Sequence, residues 1–174
     1  MSLRRQLHRA DVWAYAEVAR LHTPFWDREL RQLSRSANHG RLWFAVAAIL
    51  ALAGRRDEAR RGLLALGLAS AVTNALLKPL GGRRRPDRDA HDVPAARHVR
   101  MPGSTSFPSG HSASAIAFST AAAHGLPPSA AVPVRGLGWL VAFSRIHVGV
   151  HYPGDVLAGA LAGWVAARLA LRRR

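Results

Sequence analysis

The sequence predicts an all-α fold: a membrane-embedded bundle of four or five transmembrane helices, preceded by amphipathic helices that lie on a surface. Three observations carry this expectation. Hydrophobic residues make up 49% of the 174-residue chain, yet its formal net charge is +15 and its mean hydropathy is −0.01, so apolar segments alternate with basic ones. The arginines bracket the apolar runs: Arg41 precedes residues 42–53, Arg55, Arg56, Arg60 and Arg61 follow them, and Arg172, Arg173 and Arg174 close the chain. Arginine in that position snorkels to lipid headgroups and meets anionic lipid. No stretch alternates with the period of a strand, and no internal repeat is present. A chain of this length forms one domain, residues 1–174.

Each element has its own reason. Residues 7–21 set Leu7, Val12, Trp13, Ala16 and Val18 among charges, the pattern of a helix lying on a surface. Residues 24–35 continue it, giving an amphipathic N-terminal region over 1–40. A signal peptide is not expected, because Asp11, Glu17 and Arg20 interrupt the apolar segment that would follow the charged start. The runs 42–54 and 62–77 are shorter than the ~20 residues of a full span. They cross by recruiting flanking residues or thinning the bilayer. Residues 78–110 form a long loop rich in Pro, Gly, Arg and Asp, and loops of that length are usually functional or disordered; here two of the three motifs below sit at its ends. A helix of Ala, Ser and Thr follows over 112–125, with small side chains that allow close approach, until Pro127 and Pro128 break it. Residues 136–150 form the next helix. After Tyr152-Pro153-Gly154 the last helix runs over 155–171, with Gly159 and Gly163 on a tight packing face.

Two residues break the chain's own habits. Lys78 is its only lysine, and Asp155 is its only acidic residue after Asp92. Lys78, Arg85 and Arg145 are candidates to clamp a phosphate, since cations in a partly dry site match its oxygens. Arg145 lies in an apolar helix, where a cation calls for a partner. Pro108-Ser109-Gly110-His111 opens a helix whose free amides and glycine suit an anion. Asp155 falls in the first turn of the last helix, where it can accept the Nδ1–H of His151 and leave Nε2 as a nucleophile or base. Each piece has a plainer reading: snorkelling loop charges, a Ser109 N-cap, a capping carboxylate at Asp155. His147, four residues before His151, raises a metal site, but the nearby carboxylate is better used to orient His151. Asp87, Asp89 and Asp92 balance charge in an arginine-rich loop. With no cysteine, thiolate metal sites and disulfides are excluded.

Taken together, Lys78 through Arg85-Pro86, then Pro108-Ser109-Gly110-His111, then Ser144-Arg145 through His151 to Asp155 resemble the signature of the type 2 phosphatidic acid phosphatase superfamily at every position. The resemblance covers about residues 62–171, and the first 40 residues carry no part of it. It implies a phosphohistidine mechanism: His151 attacks phosphorus, Asp155 holds its tautomer, and His111 protonates the leaving alkoxide and later deprotonates water. Lys78, Arg85, Ser109, Gly110 and Arg145 would bind the phosphate, with no metal and no cofactor. The expected substrate is a lipid phosphate or diphosphate: phosphatidic acid, phosphatidylglycerol phosphate, or a polyprenyl-linked phosphate of cell-wall synthesis as the leading candidate. The expected partners are this lipid and the membrane, with no nucleic acid and no oligomeric state implied. The expected place is the bacterial inner (plasma) membrane, multi-pass, with the site facing outward. Rival readings are a soluble acid phosphatase or vanadium-dependent haloperoxidase of the same fold, a non-catalytic lipid-binding membrane protein, and a basic nucleic-acid-binding protein. The arginine-bracketed apolar runs speak against the soluble readings, and the two retained histidines against the non-catalytic one.

Overall fold

Two amphipathic helices open the chain in the computed structural model, which describes residues 3–172: α1 (Leu3–Arg20) and α2 (Pro24–Ser36). They are followed by α3 (Arg41–Leu52) and α4 (Arg56–Val72), joined by a tight turn. A π-helical turn, Thr73–Leu77, carries α4 into the short α5 (Lys78–Gly81), so that one continuous helix runs from Arg56 to Gly81. After the long loop come α6 (Gly110–Ala122), α7 (Pro128–His147) and α8 (Pro153–Arg172). Among the described residues there is no strand.

Helix α6 is the axis of the bundle. Nine of its thirteen residues are buried, and it packs against α4, α7 and α8. Glycine makes that closeness possible. A Cβ at Gly159 would come within 2.3 Å of the Ser109 carbonyl oxygen, and one at Gly163 within 2.2 Å of that of Ala113. A Cβ at Gly138 on α7 would come within 2.2 Å of Ser119 Oγ on α6. Backbone therefore lies almost on backbone, as small residues permit. On the other side Trp43 and Phe118 stack at 5.1 Å between ring centroids, with Gly62 leaving room for the Phe118 ring.

This packing fixes which ends meet. Ser109 N–H donates to the Asp155 carbonyl at 2.9 Å, so α6 and α8 start side by side. The short turn 148–152 brings the end of α7 to the same place, and Gly110 lies against Thr73, Asn74 and Lys78 at the end of the long α4–α5 helix. All three motifs thus share one end of the bundle.

The outward faces of the bundle are apolar: Ile49, Leu52, Leu64, Val132, Leu157, Leu161 and Leu169 are all exposed. Two helices, Arg56–Gly81 and Pro153–Arg172, are long and apolar enough to cross a membrane, with mean hydropathies of 1.5 and 1.4 over their most apolar 18 residues. The structure differs from the sequence reading in two boundaries. Pro127 and Pro128 do not merely break a helix; Pro128 starts α7 eight residues before Gly136, because proline's fixed φ and missing N–H suit a first turn. The first residues of the expected 78–110 loop are helical, continuing α4.

The N-terminal region is docked as well as amphipathic. Tyr15, Asp27 and Ser34 are buried against the loop end of the bundle, while Leu7, Trp13, Phe25 and Trp26 face outward. Asp27 accepts from Arg97 Nε at 2.8 Å and from His147 Nε2 at 3.0 Å. Arg97 also donates to the carbonyls of Val18, Ala19 and Leu21, closing the C-terminal end of α1.

Candidate active site

His151 is buried in the turn between α7 and α8, and its two ring nitrogens face different partners. Arg85 Nη1 donates to Nε2 at 3.1 Å, so Nε2 carries the lone pair and Nδ1 the proton. Nδ1 faces Asp155 Oδ2 at 3.6 Å and Ser106 Oγ at 3.4 Å. Burial pushes the His151 pKa down to about 4; the hydrogen bond to Asp155 opposes the shift, and the Arg145 and Arg85 charges add to it. The ring is therefore a neutral base with its free lone pair toward the cations.

Asp155 is fully buried and held from four directions. Ser106 Oγ and the Tyr152 N–H (3.0 Å) donate to Oδ2, and Arg83 Nη1 donates to Oδ1 at 2.9 Å. Arg83 in turn pairs with Asp11 of α1 at 2.6 Å, and Asp11 accepts the Gly154 N–H. The Asp11–Arg83–Asp155 chain ties the first helix to the carboxylate behind His151.

The three expected clamp cations sit on neutral oxygens. Lys78 Nζ donates to Ser104 Oγ at 3.1 Å, and Arg85 Nη2 donates to the same oxygen at 3.2 Å. Arg85 further donates to the carbonyls of Ser104 at 2.9 Å and Val150 at 2.8 Å. Arg145, buried as its apolar helix demands, donates to Ser34 of α2, and its Nε has no partner. Among the described residues none of the three pairs with a carboxylate. Cations gathered this closely without a carboxylate carry a chemistry that suits an anion.

The second motif divides its labour. Ser109 Oγ caps α6, accepting from Ser112 N–H at 3.4 Å and from Ser112 Oγ at 2.9 Å, and the Ser109 N–H is spent on the Asp155 carbonyl. Its expected contact to phosphate is thus not one its own polar atoms make here. The amides of Gly110 and His111 lie in the first helical turn, where N–H groups have no partner within the helix. A Cβ at Gly110 would meet its nearest neighbours only at 3.8 Å, so packing does not demand glycine there. His111 Nε2 lies 2.9 Å from Asn38 Oδ1 and within Coulombic reach of Arg145, His151, Lys78 and Arg85.

Sequence reasoning missed Ser104, Ser106, Arg83, Asp11, Ser34 and Asn38. The last three come from a region with no motif. For Ser106 the only signal is its place in the loop just before Pro108. His147 is occupied by Asp27, and among the described residues no group of three or more His, Asp or Glu is placed to hold a metal ion. Asp87 accepts the amides of Asp89 and Ala90 as a turn cap.

The chain is similar to known proteins in sequence and in fold. The model of the PAP2 superfamily matches residues 58–174. The chain is 39% identical over 139 residues to the decaprenylphosphoryl-5-phosphoribose phosphatase of Mycobacterium tuberculosis, covering 76% of this chain and 72% of that one. It is 26% identical over 160 residues to the lipid A 4'-phosphatase of Bacteroides thetaiotaomicron, covering 82% and 67%. The crystal structure of Aquifex aeolicus LpxE superposes with a TM-score of 0.79 at 24% identity, covering 92% of this chain and 94% of that one, a likeness of fold. The chain belongs to the PAP2 superfamily and is a phosphoric ester hydrolase.

Proposed function

We propose that this PAP2 enzyme is a multi-pass lipid phosphatase of the bacterial inner membrane that removes a phosphomonoester through a phosphohistidine on His151, without a metal. The observation that carries the reading is the orientation of His151, with Nδ1–H toward a fully buried Asp155 and the Nε2 lone pair among cations that lack carboxylate partners.

In the proposed reaction the phosphate enters between Lys78, Arg85, Arg145 and the first amides of α6, and Arg85 exchanges Nε2 for a phosphate oxygen. The Nε2 lone pair attacks phosphorus and the P–O bond to the lipid breaks. His111 gives its proton to the leaving alkoxide. Water then attacks the phosphohistidine, His111 takes the water proton, and the Nε2–P bond breaks to release inorganic phosphate. The cations stabilise charge on the equatorial oxygens throughout. Asp155 keeps the attacking tautomer and stabilises the charge that develops on the ring. Asn38 orients His111 through its side-chain oxygen.

The substrate we favour is a polyprenyl-phosphoryl sugar phosphate, the class named by the mycobacterial relative. Leu76, Leu80 and Phe107 lie exposed beside the cations, where an acyl or prenyl chain can lie against the protein while its phosphate reaches the site. The apolar outer faces support a membrane setting, and the proposal places four or five crossings in it with the site on the extracytoplasmic side, opposite Arg55–Arg61. The test is phosphate release in detergent and EDTA from a panel of phosphatidic acid, phosphatidylglycerol phosphate, a polyprenyl diphosphate and a polyprenyl-phosphoryl sugar phosphate. Preferred turnover of the last is expected; turnover of none of them by folded protein would overturn the proposal.

A further inference from the structure

Beside the catalytic cations lies a cavity of about 290 Å³ that the reaction above does not use. Its walls include Arg35 of α2, Arg41 of α3, Arg100 of the long loop, Arg145, Ser34 and Asn38, and no carboxylate lines it. Two of these residues connect it to the catalytic centre. Arg145 is one of the clamp cations, and Asn38 holds His111 at 2.9 Å. Arg145 is 2% exposed, and its Nε has no partner.

Helix ends account for these exposed arginines only in part: Arg35 lies in the last turn of α2, where a cation is favoured. Arg41 is the first residue of α3, where the helix dipole disfavours a cation, and no side chain caps that end. Arg35, Arg41 and Arg100 make no ion pair among the described residues. Like charges gathered around one cavity, with a desolvated guanidinium among them, are stabilised by an anion. The volume corresponds to about ten waters at ~30 Å³ each, more than one phosphate needs.

We infer that this cavity is a second anion subsite, taking the non-scissile phosphodiester of the substrate and the sugar next to it while the clamp holds the scissile phosphate. The inference rests on the lipid-phosphatase reading and narrows it: the enzyme prefers lipids carrying two phosphates separated by a small polar spacer over lipids with a single phosphate. Arg145, which touches both spaces, couples their occupancy. The same chemistry could be offered by an anionic lipid headgroup from the surrounding bilayer, and the experiment separates the two.

The test uses the full chain in neutral detergent micelles, with Arg41→Gln, Arg100→Gln and the double variant, none of which belongs to the clamp. kcat/KM is measured for phosphatidic acid and for a polyprenyl-phosphoryl sugar phosphate, with thermal unfolding as a check on the fold. A charge-assisted contact to phosphate is worth about tenfold in binding. The double variant should therefore lose about tenfold or more on the two-phosphate lipid, mainly in KM, and less than about twofold on phosphatidic acid. Equal effects on both substrates, or none on either, would overturn the subsite while leaving the phosphatase intact. A loss that appears only when phosphatidylglycerol is added to the micelles would overturn it in favour of a membrane-lipid site. A wild-type protein inert toward both lipids would instead overturn the function on which the inference rests.

Discussion

Asp155→Asn tests the site where its geometry is tightest. Oδ2 accepts from Ser106 Oγ and from Tyr152 N–H at 3.0 Å and faces His151 Nδ1 at 3.6 Å, while Oδ1 accepts from Arg83 at 2.9 Å. An amide cannot serve both sides. With its NH₂ in the Oδ2 position it confronts three donors; turned over, it confronts the Arg83 guanidinium. A buried donor left without a partner costs about 1–3 kcal/mol. The variant should therefore lose about 2–4 kcal/mol of folding stability, allowing for partial relaxation. The kinetic effect is larger. With the NH₂ in the Oδ2 position His151 loses the acceptor that keeps its proton on Nδ1, and the Nε2–H tautomer cannot attack; turned over, the amide oxygen keeps the tautomer but not the charge that stabilises the ring in the transition state. In the serine-protease arrangement the equivalent change lowers kcat by about 10,000-fold. Here Ser106 Oγ remains 3.4 Å from Nδ1 as a weaker acceptor, so a loss of about 1,000-fold is expected. Phosphate release under saturating lipid gives kcat, and thermal unfolding gives stability. A folded variant with kcat within tenfold of wild type would refute the role assigned to Asp155.

Three further outcomes follow from the same contacts. Protonated His151 cannot attack, and its pKa is lowered to about 4, so the acid limb of kcat/KM should lie near pH 4 instead of near 6.5. Activity should fall below that limb as His151 takes up a proton, and Arg85→Gln should move the limb upward by removing a neighbouring cation; a wild-type acid limb at pH 6.5 would contradict the buried, neutral ring. Ser106→Ala removes one donor to the Asp155 carboxylate and should lower kcat about tenfold with KM nearly unchanged, measured on the preferred lipid. Gly159→Ala places a Cβ about 2.3 Å from the Ser109 carbonyl oxygen, backbone that cannot yield, and should destabilise the fold by about 1–3 kcal/mol. An unchanged Tm would mean that α6 and α8 are not packed as described.

The sequence made the chemistry legible and the architecture around it only partly so. Lys78 and Asp155 stand out because they break the chain's composition, Arg145 because it lies in an apolar helix, and Arg85, His111 and His151 only through the spacing of the three motifs. The helices of the bundle were legible from hydropathy and small residues, since those patterns are local. Pro128 follows a real break and also opens α7, because a proline pair signals a break and a first turn equally well until its neighbours are known. The supporting partners were hidden for a different reason. Asn38 reaches His111 across 73 residues, Ser34 reaches Arg145 across 111, and Asp11 reaches Gly154 across 143. Contacts of that separation leave no periodicity in the chain. The N-terminal region thus reads as a surface helix pair, while its buried face holds three side chains that support the site.

The account stands on His151 as the phosphoryl acceptor. The direct measurement is an alkaline quench of the enzyme during turnover of its preferred lipid in EDTA, followed by mass spectrometry of the peptide that contains residues 148–155. The account predicts a phosphohistidine at His151, enriched in the His111→Ala variant because hydrolysis of the intermediate is slowed, and absent from His151→Ala, which should be inactive. Full activity in His151→Ala, or a wild-type enzyme that turns over only when a divalent metal is restored, would contradict it.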